Sequence, residues 1–113
     1  FKGNKMAIVN ARLTGSQLNV LTVPAGKRYA ITNILVCNNA ASGSQDFDLH
    51  LIANSGGSIG TLDNNVTRVI ANLSLPFGET FTFDSEKVVL ETGDTVSLVG
   101  HADLATTVSY LEV

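Results

Sequence analysis

Short runs of alternating apolar and polar residues, separated by turn residues, fill almost the whole chain. Strand-sized runs begin near residues 5, 18, 28, 45, 63, 79, 87, 95 and 106. Gly- or Pro-bearing turns lie at residues 14–16, 24–27, 76–78 and 91–94, the last of them of hairpin type. Short strands at intervals of about 8–12 residues are typical of a β-sandwich or barrel. The pattern predicts a single all-β domain over residues 1–113, an antiparallel, jelly-roll-like sandwich of about eight strands.

The run at residues 45–53 has the clearest alternation. Its apolar and polar sets lie on opposite faces, Phe47, Leu49 and Leu51 against Asp46, Asp48 and His50. Carboxylates and an imidazole on one strand face are metal-ligand types, so the polar set is a weak candidate metal site, which His101 or Asp103 could complete. A half-buried strand with a solvated polar face explains the alternation completely. We therefore predict no metal and no other cofactor.

The run at residues 28–38 is apolar on both faces, as in a central strand that is covered on both sides. Strict alternation places one apolar set opposite the other, Ile31, Leu35 and Cys37 against Ala30, Ile34 and Val36. One face packs into the core, and the other either contacts another subunit or is a partly exposed apolar face. Ala30, Ile34 and Val36 are the interface candidates.

Two segments allow alternative interpretations. Residues 63–75 have helical spacing at Val66, Val69, Ile70 and Leu73, whereas a strand would place Thr67, Val69, Ala71, Leu73 and Leu75 on one face. The β-branched content favours a strand, with a short helical turn near Asn65. Residues 1–5 have the composition of a flexible arm, which either orders on a neighbouring subunit or stays disordered. Phe1 and Lys2 are interface candidates on the first alternative.

The charge composition narrows the range of functions. Charged residues make up 15% of the chain, and the net charge is −3 at pH 7. A protein that binds nucleic acid is expected to carry a basic stripe, so we expect no nucleic-acid partner. The longest apolar run, residues 34–37, is far shorter than the roughly 20 residues of a membrane-spanning helix, so we expect no membrane partner.

Catalytic residue types are scarce. Cys37 is the one thiol, and it lies in an apolar run where Cys is usually a small buried hydrophobe. His50 and His101 are the only histidines, and no nucleophile elbow, phosphate-binding loop or zinc-protease motif is present. We predict that the protein is not an enzyme and has no catalytic residues.

Three stretches of sequence resemble small all-β virion proteins of tailed bacteriophages. They read LTVPAGKRYAITNILV at residues 21–36, LSLPFGETFTF followed by VVLETGDTVSL within residues 73–98, and TTVSYLEV at residues 106–113. The resemblance covers much of the chain and includes no catalytic residues. It implies a structural component of the phage particle, located in the virion and assembled in the host cytoplasm.

Within that family, a head decoration or cement protein is the favoured role, and a tail, neck, baseplate or fibre position is the alternative. We expect a homo-oligomer, with a trimer favoured, that binds other virion proteins such as the major capsid protein. A carbohydrate-binding attachment sandwich is a second hypothesis, although the few aromatic residues alternate like core residues. A small cupin-like metal hydrolase is a third, with only two histidines to support it.

Overall fold

Eight β-strands make up the regular structure of residues 5–56 and 60–113, the part of the chain that the computed structural model describes. They are β1 (Lys5–Arg12), β2 (Leu18–Thr22), β3 (Tyr29–Asn38), β4 (Ser44–Ile52), β5 (Arg68–Pro76), β6 (Thr80–Leu90), β7 (Thr95–Gly100) and β8 (Leu104–Glu112). Within this part of the chain, no helix is long and apolar enough to cross a membrane.

The strands form two four-stranded antiparallel sheets with the pairing order of a jelly roll. One sheet has the order β1-β8-β3-β6, hereafter sheet A, and the other has the order β2-β7-β4-β5, hereafter sheet B. The pairs β1–β8, β2–β7, β3–β6 and β4–β5 are nested in sequence. Every connection except β4–β5 therefore crosses from one sheet to the other. The predicted all-β, jelly-roll-like sandwich is confirmed.

All four predicted turns lie at sheet-to-sheet connections. The amide of Lys27 donates to the Pro24 carbonyl at 3.2 Å, and the amide of Asp94 donates to the Glu91 carbonyl at 3.0 Å. Gly93 has a φ of +86°, which a residue with a side chain rarely adopts. The turn at residues 91–94 joins β6 in sheet A to β7 in sheet B, so the expectation of a hairpin there is wrong.

The core lies between the two sheets and contains side chains from both. Its fully buried members include Leu13, Ile31, Ile34, Val36, Phe47, Leu49, Val96, Leu98, Leu104 and Val108. Phe47 and Leu49 lie on β4 in the predicted inward set, so the alternation of that strand is confirmed. Leu51 continues the set and is partly buried against the same cluster.

A β-bulge in β3 reverses the predicted faces of its second half. Ile31 pairs with Tyr110 of β8 and Asn33 pairs with Ser109, which leaves Thr32 as an extra residue on β3. Ile34 is then 1% exposed and Val36 is fully buried, both in the core. The prediction that these two residues contact another subunit is therefore wrong, because they fill the protein's own interior.

The second half of β3 is also tied to sheet B by a buried amide. The Asn38 side chain is fully buried, and its Nδ2 donates to the Leu75 carbonyl of β5 at 2.8 Å. Its Oδ1 accepts from the Ala40 amide at 2.9 Å. This Asn therefore links the two sheets at the end of β3 and satisfies the turn that follows.

β5 and β6 also differ from the strands that the sequence predicts, and a bulge at Asn72 explains the difference in β5. Residues 68–76 form a strand and residues 64–67 form a turn, as predicted, but Asn72 has a φ of +48° and the register slips beside it. Ile70, Leu73 and Leu75 consequently pack inward, while Val69 is 51% exposed. The runs predicted separately at 79–83 and 87–90 form one strand, β6.

The structure describes one residue of the predicted amino-terminal arm, Lys5. β1 begins at Lys5, so this last residue of the predicted flexible arm belongs to a strand. Phe1 and Lys2, the interface candidates in the arm, lie outside the described residues.

The bulge at Thr32 makes a prediction that separates two adjacent residues. Ile34→Ala should lower the free energy of unfolding by about 2–4 kcal/mol, because it removes a buried side chain from a packed core. Leu35→Ala, the matched control on the outer face, should cost about 1 kcal/mol or less. Urea denaturation of both variants measures this difference. Equal losses, or a larger loss at Leu35, would show that the faces of β3 are assigned wrongly.

Candidate functional site

The outer face of sheet A carries an apolar row that crosses all four strands. Met6 of β1 pairs with Leu111 of β8, Leu111 pairs with Ala30 of β3, and Ala30 pairs with Val89 of β6. Directly paired residues of a sheet point to the same side, so these four side chains form one continuous band. Met6 is 65% exposed and Val89 is 49% exposed. Aligned apolar side chains at this exposure indicate a contact surface rather than scattered surface residues.

Ile8 extends the apolar row along β1. Its side chain is 61% exposed, and it shares the outer side with Met6, two residues earlier. Leu35 and Cys37 of β3 lie on the same side further along the sheet, and both are half-buried. We call this set of outward side chains the outer face of sheet A.

The rest of the outer face of sheet A is polar but almost uncharged. Thr107 Oγ1 donates to Asn10 Oδ1 at 2.7 Å, across β8 and β1. Asn33 Nδ2 donates to Asp84 Oδ1 at 3.0 Å, across β3 and β6. Among the described outward side chains of these strand pairs, Arg12 and Asp84 are the charged ones. Both lie on the edge strands β1 and β6, so the central strands β8 and β3 present no described charge on this face.

Only part of this face was predicted from the sequence. Ala30, an interface candidate, lies in the centre of the apolar row. The other apolar residues of the outer face were not among the interface candidates, namely Met6, Ile8, Val89 and Leu111. The alternation in residues 6–12 is a signal that could have identified Met6 and Ile8, whereas Leu35 and Cys37 share a face with Ala30 only because of the bulge.

The outer face of sheet B is different, because the chain itself covers part of it. His50 and Ile52 point outward from β4, and yet they are fully buried and 2% exposed, respectively. Thr67, in the connection between β4 and β5, lies 2.8 Å from His50. Gly60 of the same connection lies against Ile52 and the Ala53 carbonyl, without room for a side chain. This connection therefore occupies surface that a partner would need.

The weak candidate metal ligands do not form a site. Asp48 lies 3.6 Å from the Arg68 guanidinium, and its Oδ1 accepts from the Asn72 amide at 2.6 Å. The His50 ring is instead held by Thr67. Asp46 lines a shallow groove together with Asp48 and His101, but the described residues contain no group of three or more His, Cys, Asp or Glu side chains placed to hold an ion. The structure therefore does not bring the weak candidates Asp46, Asp48 and His50 together as a metal site.

His50 is held inside the protein through one ring nitrogen. Its Nδ1 lies 2.8 Å from Thr67 Oγ1, which also accepts from the Asp63 amide at 3.0 Å. The other ring nitrogen, Nε2, is buried without a hydrogen-bond partner. Burial lowers the pKa of His50 below its usual value. The nearby Asp48 carboxylate raises this pKa, and Arg68 lowers it. His50 is a neutral internal residue rather than a ligand.

Cys37 and four of the aromatic side chains have structural partners. Cys37 is half-buried on the outer face of sheet A, with its Sγ 3.4 Å from Asn39 Oδ1. Tyr29 and Tyr110 stack with their ring centroids 4.3 Å apart, beside the Lys27–Glu112 ion pair at 2.9 Å. Phe47 and Phe81 pack together at 5.7 Å inside the sandwich. Cys37 is thus more exposed than the small buried hydrophobe that we predicted.

The comparisons with known proteins support the fold. No protein-family model and no curated protein matches this chain. A solved structure from work describing Bacillus endospore appendages as a novel family of disulfide-linked pili is similar, with a TM-score of 0.50. The two sequences are 14% identical, and the alignment covers 97% of this chain and 85% of that one. At this level of identity the similarity shows a shared fold.

The buried His50 makes folding stability dependent on pH. Because its pKa is lowered in the folded protein, the unfolded chain binds a proton more readily once the pH falls below about 6.5. The contribution of His50 to the free energy of unfolding should therefore be fully present above that pH and should decline below it. Thermal unfolding at about pH 7.5 and about pH 5.5 measures this decline.

Two variants isolate the contribution of His50. His50→Gln should be less stable at both pH values, and its decline between them should be smaller than that of the wild type. The control His101→Gln, which removes an exposed imidazole, should keep the wild-type decline. An unchanged decline in His50→Gln would rule out His50 as its source.

Proposed function

We propose that this protein is a non-enzymatic structural subunit that packs against other protein subunits in an ordered assembly. The apolar row Met6–Leu111–Ala30–Val89 on the outer face of sheet A carries the proposal. A soluble domain gains free energy by covering such a row, at roughly 25 cal/mol for each Å² of apolar area removed from water. The polar side chains beside the row, such as Asn10, Asn33 and Thr107, are suited to orienting the contact.

The contrast between the two sheets supports this role. Sheet B is covered in part by the β4–β5 connection, through His50–Thr67 and Gly60–Ile52. The described strands of sheet A present an open outer face instead, with β1 paired to β8 in regular register from Lys5 to Arg12. An open sheet face with exposed apolar side chains is suited to lie against another protein surface.

The similar fold offers a precedent for assembly. The comparison protein belongs to appendages described as disulfide-linked pili, so a jelly-roll subunit of this kind can form a polymer. The 113-residue sequence contains one Cys, which can form one intermolecular disulfide. These residues alone therefore cannot build a polymer linked throughout by disulfides, and we propose assembly through noncovalent contacts.

A phage particle is the assembly that the sequence motifs favour. The stretches at residues 21–36, 73–98 and 106–113 resemble virion proteins of tailed phages, and we propose a virion location with head decoration as the first role. A tail, neck or baseplate position is the alternative within the particle. The major capsid protein is the expected partner for head decoration, and a trimer is the expected ring.

Solution mass and particle labelling test the proposal together. Sedimentation of the purified chain should show more than one subunit at concentrations up to about 0.1 mM, or the chain should bind intact particles with a Kd in that range. Antibody labelling should place it on phage heads, on tails or on fibres. A chain that stays monomeric and labels none of these structures would contradict the proposed function.

A further inference from the structure

We propose that the occupant of the outer face of sheet A is the same face of a second copy of this chain. The inference rests on the proposed structural role and adds both the surface and the partner. A contact between two identical faces is isologous, which means that a two-fold axis relates the copies. Three properties of the face support such a pair: its area, its charge and its shape.

The area of the face is close to what a stable pair needs. Four strands about 4.8 Å apart, with four rows of outward side chains about 6.8 Å apart, cover about 500 Å² as a flat surface. A specific interface needs roughly 600–800 Å² of accessible surface from each partner. Projecting side chains such as Met6 and Ile8 add accessible surface to this flat area, because both are more than half exposed.

The charge of the face permits contact with an identical copy. A strongly charged face would repel itself, because every charge would meet its own sign across the interface. On this face the described charges are one cation and one anion, Arg12 and Asp84. Arg12 Nε donates to the Ala102 carbonyl at 2.7 Å, and Asp84 accepts from Asn33. The centre of the face has no net charge to select a charged partner.

The apolar row is complementary to itself. Its larger side chains, Met6 and Leu111, lie on β1 and β8, and its smaller ones, Ala30 and Val89, lie on β3 and β6. A two-fold axis parallel to the strands, between β8 and β3, places Leu111 of one copy over Ala30 of the other. Large side chains then fill the space above small ones, as close packing requires.

The contact is compatible with a larger assembly. A three-fold contact, as the expected trimer requires, would use a different surface and leave this face free to join two rings. The two-fold contact therefore predicts an even number of chains in the complete assembly.

Lysine substitutions on the outer face test the inference. Met6→Lys and Val89→Lys change side chains that are 65% and 49% exposed, so the domain should still fold. Each should raise the dissociation constant of the pair at least about 100-fold, because an unpaired ammonium group would be buried in the contact. The matched control is Val69→Lys on β5 of sheet B, where the side chain is 51% exposed, and it should assemble like the wild type.

Sedimentation equilibrium measures the mass, and circular dichroism checks the fold of each variant. Halving of the assembled mass in Met6→Lys and Val89→Lys alone is the expected result. If both assemble like the wild type, or the wild type contains an odd number of chains, the two-fold face is wrong while the structural role stands. A monomeric wild type whose binding to intact particles is lost in Met6→Lys would assign the face to a different protein. A wild type that neither assembles nor binds particles would overturn both proposals.

Discussion

The extra residue at Thr32 is the constraint on which the two surfaces of β3 depend. Thr32 Oγ1 lies 3.0 Å from both the carbonyl oxygen and the side-chain Oγ of Ser109, so the bulge is held to the neighbouring central strand. Before the bulge, Ile31 points into the core, and after it Ile34 does. Without the extra residue, strict alternation would place Leu35 inside and Ile34 outside, because a one-residue slip exchanges the two faces of a strand.

The jelly-roll order gives the two sheets different surroundings. β3 and β8 are the central strands of sheet A, so the bulge that joins them sets the middle of its outer face. In sheet B, the long β4–β5 connection folds back over His50 and closes part of the surface. One sheet thereby keeps an open outer face, while part of the other is covered by its own chain.

Local patterns predict the strands and turns well, because they depend on nearby residues. The alternation at residues 45–53 and the turns at 24–27 and 91–94 are present in the structure. Bulges at Thr32 and Asn72 depend instead on neighbouring strands, β8 and β4, and no period in the sequence reveals them. The phage-like motifs include the turns β2–β3, β5–β6 and β6–β7, which the jelly roll itself requires. That correspondence explains why they identify a fold more specifically than a function.

The native thiol of Cys37 gives the most direct test of the central claim, that the outer face of sheet A becomes covered when the protein assembles. Cys37 is the only thiol and lies half-exposed on that face. Its alkylation rate can be measured at increasing protein concentration, with sedimentation reporting the assembled fraction. The account predicts that the rate falls as this fraction rises, by about tenfold or more when assembly is complete. A rate that stays constant while the protein assembles would contradict it.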